Sequence, residues 1–487
     1  MKSKMCEPDP CMKFIQLIQF SNKHSFRRNF NDTEEVEALT MQVTTNAEQF
    51  IEKTKFNKSH AMLLFWGIVL MLFDGFDLVI YGAVVPSVMD DWGISAVQAG
   101  RYGSYALFGM MLGALIFGTL ADKLGRKNII LICVSIFSIF MLLSGLAPTP
   151  EMFGLFRFIT GLGLGGMMPN VIGLIGEYSP KGLRSRMIAT IMTGFSLGGV
   201  LVALLSIIMI PKFGWESVFF FGAIPMLFVP FLIKSLPDSV GTLIHKNDVK
   251  GIQKILARLN ADYQPSENEI FILNKPNESA SPVKNLFIKK RAQLTVMIWI
   301  TYAMSLLMLY GLNTWLPKFM TEAGFPLGSS LSFLLALNVG ATAGSILMGW
   351  VADRWGVGKS LILFFLVAFV TITSLGYAMN MTLLYILVAI AGAATVGTQN
   401  LTHSYTSQFY PVTMRSTALG WALGVGRIGA ILGPAIGGVL LASGLTLQLN
   451  FLVFAIPGVI AALAVVIANY QSEKAIAAEQ VLDMEAN

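Results

Sequence analysis

Five ionisable side chains sit in stretches that are otherwise apolar: Asp74 and Asp77 in FDGFDLVIYG, Arg157 in RFITGLGLGG, His403 in TQNLTHSYTSQFYP and Arg427 in GWALGVGRIGAILGPAIGG. The aspartates are three residues apart, so a helix would put them on one face, with Tyr81 four residues beyond Asp77. Two carboxylates that close in a low dielectric cannot both ionise cheaply, which is the condition for a proton to load onto one and leave again. The bland alternative is a fixed salt bridge to Arg157. Arg427 lies among Gly424, Gly426, Gly429 and Gly433, small neighbours that leave room beside a planar guanidinium fork suited to a carboxylate. Its alternative is pairing with an acidic residue from elsewhere in the chain. His403, with Gln399 and Asn400 a turn earlier, is either a donor to a ligand or a hydrogen-bonded packing residue.

Composition says what must hold these groups. The chain of 487 residues is 54% hydrophobic and only 13% charged, with mean hydropathy +0.65, which marks a polytopic membrane protein. Apolar runs of spanning length fall near 60–82, 102–120, 129–147, 152–174, 187–209, 216–234, 292–312, 329–351, 360–378, 381–402, 417–440 and 448–469, twelve spans in two groups of six. The fold class expected is therefore an all-α membrane protein. Ionisable groups inside such spans cost several kcal/mol and are kept where they face a cavity or a partner.

Lysines and arginines give the orientation. Lys53, Lys55 and Lys58 precede span one, Lys123, Arg126 and Lys127 follow span two, and Lys181, Arg184 and Arg186 follow span four. The segment after span six adds Lys246, Lys250, Lys254, Arg258, Lys284, Lys289, Lys290 and Arg291, whereas the opposite loops hold only Arg101, Lys212 and Lys318. By the positive-inside rule both termini are cytoplasmic. The division that follows is a cytoplasmic segment 1–58, a six-helix half 59–234, a cytoplasmic linker 235–291, a second half 292–470 and a cytoplasmic tail 471–487. Residues 1–40 read either as a disordered tail or as sequence upstream of a start at Met41, the second being favoured. The net charge of +6 is a topology signal and not a nucleic-acid footprint. Cys6, Cys11 and Cys133 fit no metal or redox spacing, no nucleophile motif such as G-x-S-x-G is present, and neither a cofactor nor an enzyme activity is expected.

The two halves repeat. GTLADKLGRK from Gly118 returns as GWVADRWGVGK from Gly349, and the same 231-residue offset pairs Pro86 with Pro317, Gly109 with Gly340, Gly113 with Gly344, Asp122 with Asp353, Pro180 with Pro411, Arg184 with Arg415 and Gly198 with Gly429. Parallel six-helix repeats joined by a long linker describe a transporter whose halves rock about a midplane site. Residues common to both halves serve packing and gating: Gly118 and Gly125 for a tight turn, and Asp122 and Asp353 to cap a helix end or pair with a neighbouring base such as Arg126. Residues that break the repeat are better candidates for the site. Asp74 falls opposite Ser305, Asp77 opposite Met308, Arg157 opposite Val388, His403 opposite Ile172 and Arg427 opposite Ser196. Glu177, in GEYSPKGLRSR, reads as a loop residue that pairs with Arg184 or Arg186.

GTLADKLGRK, the repeat and the linker resemble the major facilitator superfamily over residues 60–470. DGFD in span one, Arg157, LPDS at 236–239, His403 and GRIGAILGP resemble one branch of it, the aromatic acid:proton symporters. That resemblance implies proton-coupled import of benzoate, hydroxybenzoates or related acids across a bacterial inner membrane, in a protein that works as a monomer. It implies proton-coupling roles for Asp74, Asp77 and Arg157, and a substrate site drawn from Arg427, His403, Tyr81, Tyr302 and Gln399. The apolar wall of that site is expected among Phe76, Tyr81, Trp299, Tyr302 and Trp315. It places Gly118, Asp122, Arg126, Asp353, Glu177 and Arg184 in the gate. The second loop, GWVADRWGVGK, lacks the arginine after its glycine, which bears on gating alone. A muconate-like dicarboxylate remains an alternative cargo. A drug antiporter would carry a proline in TGFSLGGV, and a sugar porter has no reason for paired aspartates in span one.

Overall fold

Stretches this apolar can satisfy their backbone groups in lipid only by closing on themselves as helices. The computed structural model describes residues 43–260, 263–265, 269–272, 283–287, 291–377, 380–410 and 412–486; the expectations for residues 1–40, Cys6, Cys11, Lys289, Lys290 and Pro411 lie outside them. Twelve helical spans are long and apolar enough to cross a membrane. They are α1 (Lys58–Trp92), α2 (Ala96–Leu124), α3 (Arg126–Gly145), α4 (Pro150–Tyr178), α5 (Arg184–Phe213), α6 (Glu216–Ser235), α7 (Ala292–Glu322), α8 (Leu327–Trp355), α9 (Val357–Leu375), α10 (Met381–Phe409), α11 (Val412–Ala442) and α12 (Leu447–Ala486). Two short strands, β1 (Val43–Asn46) and β2 (Glu269–Ile272), pair with each other. The chain forms two contact units, Met1–Thr45 with Pro265–Ile270, and Asn46–Gln264 with Phe271–Asn487; the second carries every span.

Most helices outrun the apolar windows that announce them. Hydropathy falls after residue 82, yet α1 runs to Trp92, because its hydrogen-bond ladder ends only where Gly93 turns left-handed at φ 61°. The sixth span is two pieces, Glu216–Gly222 and Pro225–Ser235, interrupted where Pro225 withholds a backbone donor.

The repeat in the sequence is a repeat of contacts. A Cβ on Gly109 of α2 would strike the Phe158 carbonyl on α4, and one on Gly340 of α8 would strike the Ala389 carbonyl on α10, positions 231 apart at both ends. Gly198 against Leu72 and Gly429 against Ala303 repeat the α1–α5 crossing as α7–α11. The α2–α3 and α8–α9 turns hinge on Gly125 and Gly356, at φ 89° and 85°, a region open to glycine at little cost. Thr149 caps α4 with its side chain, and Asn380, its counterpart, caps α10.

The halves meet at one end. Ser104 of α2 donates to the Ile431 carbonyl of α11 at 2.7 Å, and Lys318 of α7 lies 3.9 Å from Asp90 of α1. Gly82 of α1 packs on the backbone of Asn313, and Gly438 of α11 on that of Ala96. These points belong to the helix ends far from the Gly125 and Gly356 turns. These cross-half contacts close the far end, and the turn end is parted relative to it.

Candidate functional site

Asp74 and Asp77 share a face of α1, as their spacing requires, but each answers to a different half. Asp77 is ion-paired with Arg157 of α4, and a second bond runs from Nη2 to Oδ2 at 3.4 Å; both residues are 2% exposed. The guanidinium carbon lies 5.9 Å from the ring centroids of Tyr81 and Phe219, a cation over two π faces. Tyr81 completes this enclosure, since its hydroxyl donates to the Ala99 carbonyl and its ring stacks on Phe153. The hydroxyl of Tyr81, expected in the cavity wall, is thus engaged by α2.

Asp74, equally buried, has no hydrogen-bond partner on either carboxylate oxygen among the described residues. Arg427 of α11, in the other half, acts electrostatically on Asp74, as does Asp77, and all three charges act on Tyr310 of α7. Arg427 Nη1 points to the Tyr310 hydroxyl at 3.4 Å, the long end of hydrogen-bond range. Tyr310 was missed in the sequence, although the test that found the charges finds it too: its repeat mate is Val79. Ser305, the mate of Asp74, is buried with an unpartnered hydroxyl. The site therefore holds the ion pair Asp77–Arg157, whose Arg157 Nε has no hydrogen-bond partner among the described residues, beside Asp74, whose carboxylate has none, and the long Arg427–Tyr310 contact.

Below Arg427, toward the parted end, Tyr302 Oη and His403 Nδ1 are 2.9 Å apart, joining α7 to α10. Tyr302 is enclosed, while His403 and Gln399 are half-buried along one face of α10. Of the expected aromatic wall, Phe76 packs on Phe221, Trp315 donates to the Pro434 carbonyl, and Trp299 stacks on Trp421. Trp421 shares an exposed stripe of α11 with Ile428 and Val439, so this stack belongs to the outer surface. No group of three or more metal-ligating side chains occurs among the described residues.

The residues expected in the gate lie at the parted end. Asp122 and Asp353 are exposed. The Arg126 guanidinium lies against Gly173, and that of Arg184 comes within 3.3 Å of a Cβ built on Gly176, so both lie along α4. Glu177 does not take the arginine partner expected of it. It accepts from Ser239 Oγ at 2.9 and 3.0 Å and from the Gly241 amide at 3.2 Å. Tyr178 donates to the Asp238 carbonyl and Lys127 bonds the Asp238 carboxylate at 3.4 Å, so LPDS is tied to α3 and α4. A serine hydroxyl and a backbone amide from the segment after α6 satisfy Glu177, which residue type alone does not reveal.

Two pseudo-symmetric halves of six apolar spans each, with a buried cluster of charge, are the architecture of a membrane transporter. The family model for the Major Facilitator Superfamily matches residues 67–344 and 329–481, and the chain belongs to that superfamily. It is 41% identical to the benzoate transport protein of Acinetobacter baylyi, over 88% of this chain and 94% of that one. It is 35% identical to the gentisate transporter of Corynebacterium glutamicum, over 83% and 86%, and 34% identical to the 4-hydroxybenzoate transporter PcaK of Pseudomonas aeruginosa, over 82% and 92%. Among solved structures, a D-xylose-proton symporter is similar in fold, with TM-score 0.67 at 18% identity over 84% of this chain and 97% of that one.

Proposed function

We propose that the protein imports a small aromatic carboxylate together with a proton across a bacterial inner membrane, with the Gly125 and Gly356 turns on the cytoplasmic side. The observation that carries the reading is Asp74, a buried carboxyl with no hydrogen-bond donor among the described residues, on which Arg427 of the other half acts electrostatically. An ionised carboxylate there lacks the hydrogen bonds that replace water, and Arg427 is the charge that offsets it. A substrate carboxylate on Arg427 takes that compensation away. Asp74 then needs a proton, so loading the acid and loading the proton favour each other. Asp77 stays neutralised by Arg157 throughout. The relatives' named substrates, benzoate, gentisate and 4-hydroxybenzoate, are all ring-bearing acids and support the substrate class.

In this cycle the described arrangement, parted at the turn end, is the state that releases acid and proton to the cytoplasm. Rocking about the crossings at Gly82 and Asn313 opens the opposite end. The test is uptake by proteoliposomes containing the purified chain. A labelled aromatic acid should accumulate when the lumen is more alkaline than the outside, and dissipating the gradient should abolish accumulation. Accumulation indifferent to the gradient would remove the proton from the reading, and no uptake of any aromatic acid would remove the substrate class.

A further inference from the structure

We infer that His403, held by Tyr302, reads a hydroxyl group on the substrate ring, so that the site is built for a hydroxylated benzoate carried end-on rather than for the bare ring. This rests on the proposed role of Arg427 as the carboxylate anchor.

The placement comes from three helices. A Cβ on Gly426, the residue before Arg427, would lie 3.1 Å from Tyr302 Cβ, so the Tyr302 level adjoins the root of Arg427. From there the Arg427 side chain reaches Tyr310, eight residues further along α7. That is about 12 Å of helix rise. A ring with a carboxylate at one end and a hydroxyl opposite would lie along this stretch of α7, its carboxylate toward Tyr310 and its hydroxyl toward Tyr302. The space for the ring is beside α11. Gly424 and Gly420 share the Arg427 face, and a Cβ on either would meet nothing within 4 Å.

His403 presents the complementary edge. Its Nδ1 is bonded to Tyr302, whereas Nε2 has no hydrogen bond among the described residues and is not sealed off. In either tautomer Nε2 suits a hydroxyl. If Tyr302 donates to Nδ1, Nε2 carries the proton and donates; if Nδ1 donates to Tyr302, Nε2 accepts. A phenolic hydroxyl can play both parts, and a ring C–H neither. Tyr302 is the positioning residue, fixing the ring of His403 with its own buried hydroxyl.

The experiment measures equilibrium binding to the purified full chain in lipid nanodiscs, using 4-hydroxybenzoate, benzoate and 4-methylbenzoate. The methyl acid matches the hydroxyl acid in shape without its hydrogen bond. The wild-type protein should prefer 4-hydroxybenzoate over each of the others by about tenfold, a margin of about 1.4 kcal/mol. His403→Leu should bring both ratios to within about twofold of one. Tyr302→Phe should lower them by a smaller factor, and His403→Gln, which keeps a donor and an acceptor, should retain part of the preference. A wild-type ratio near one, or a full preference surviving in His403→Leu, overturns the assignment. Should His403→Leu fail to fold, an unchanged preference in both Tyr302→Phe and His403→Gln overturns it. Failure of the parent reading looks different: none of the three acids binds, or all bind Arg427→Ala as well as wild type.

Discussion

Lys318 of α7 and Asp90 of α1 face each other across the two halves at 3.9 Å, while Glu322, one turn along α7, holds the same ammonium at 3.0 Å. Lys318 is 8% exposed, but its partners are largely solvated, so each pair contributes at most about 1 kcal/mol. The closed end therefore leans on packing, such as Gly82 on Asn313 and Gly438 on Ala96, with the charge pair as a modest bias. Lys318→Gln should raise labelling of an Ala96→Cys reporter, buried at the closed end, by a membrane-impermeant maleimide only a few-fold. Combining Lys318→Asp with Asp90→Lys should return it toward the wild-type rate. A swap no better than the single substitutions would show that the pair does not bias closure.

The two aspartates of α1 should part company on mutation. Asp77→Asn leaves Arg157 buried without a counter-charge, a change that costs about 3–5 kcal/mol. Its purified protein should unfold at a clearly lower temperature. Asp74→Asn removes no hydrogen bond and should unfold close to wild type. It should nevertheless lose accumulation driven by a pH gradient while still exchanging internal for external acid. Wild-type accumulation by Asp74→Asn would move the coupling proton elsewhere.

Asp122 is exposed in the described state, so any partner it takes at the gate is engaged only when the turn end closes. Asp122→Asn should slow net transport and favour the state parted at the turns, read as faster labelling of a Gly349→Cys reporter. Substrate affinity should change little. A tenfold loss of equilibrium binding would give the loop a role beyond gating.

The scaffold was legible in the sequence because the repeat is written in glycines. Gly109 and Gly340, or Gly198 and Gly429, are kept at one offset since each is the place where two backbones touch. Helix ends were less legible. Hydropathy reports lipid, whereas α1 stops where Gly93 ends its ladder, well beyond the apolar window. In the site, residue type and broken symmetry located the charges but could not assign partners. Asp74 and Asp77 have the same spacing signal, and which one meets Arg157 depends on the height at which α4 packs against α1. Tyr81 and Tyr310 show the same limit. Both are tyrosines in apolar helices, yet one hydroxyl is bonded to the Ala99 carbonyl and the other meets Arg427.

Arg427 carries the most exacting prediction. It is a cation that acts on the unpartnered carboxyl, its bond to Tyr310 is long, and Gly420 and Gly424 on its face have open space. A benzoate anion loses most of its hydration on entering, and a bidentate guanidinium replaces two of the lost hydrogen bonds in a fixed plane. Lysine keeps the charge but supplies a point donor without the fork, so Arg427→Lys should weaken binding by about tenfold to a hundredfold. Arg427→Ala removes the charge as well and should leave no measurable binding of the anion. The alanine variant also deprives Asp74 of the charge that compensates it, so Asp74→Asn added to Arg427→Ala should restore stability without restoring binding. Calorimetric titration of each purified variant, read beside its unfolding temperature, separates the two effects. Wild-type affinity in Arg427→Ala would pass the carboxylate to Arg157 or to backbone donors, and with it the coupling between acid and proton described above.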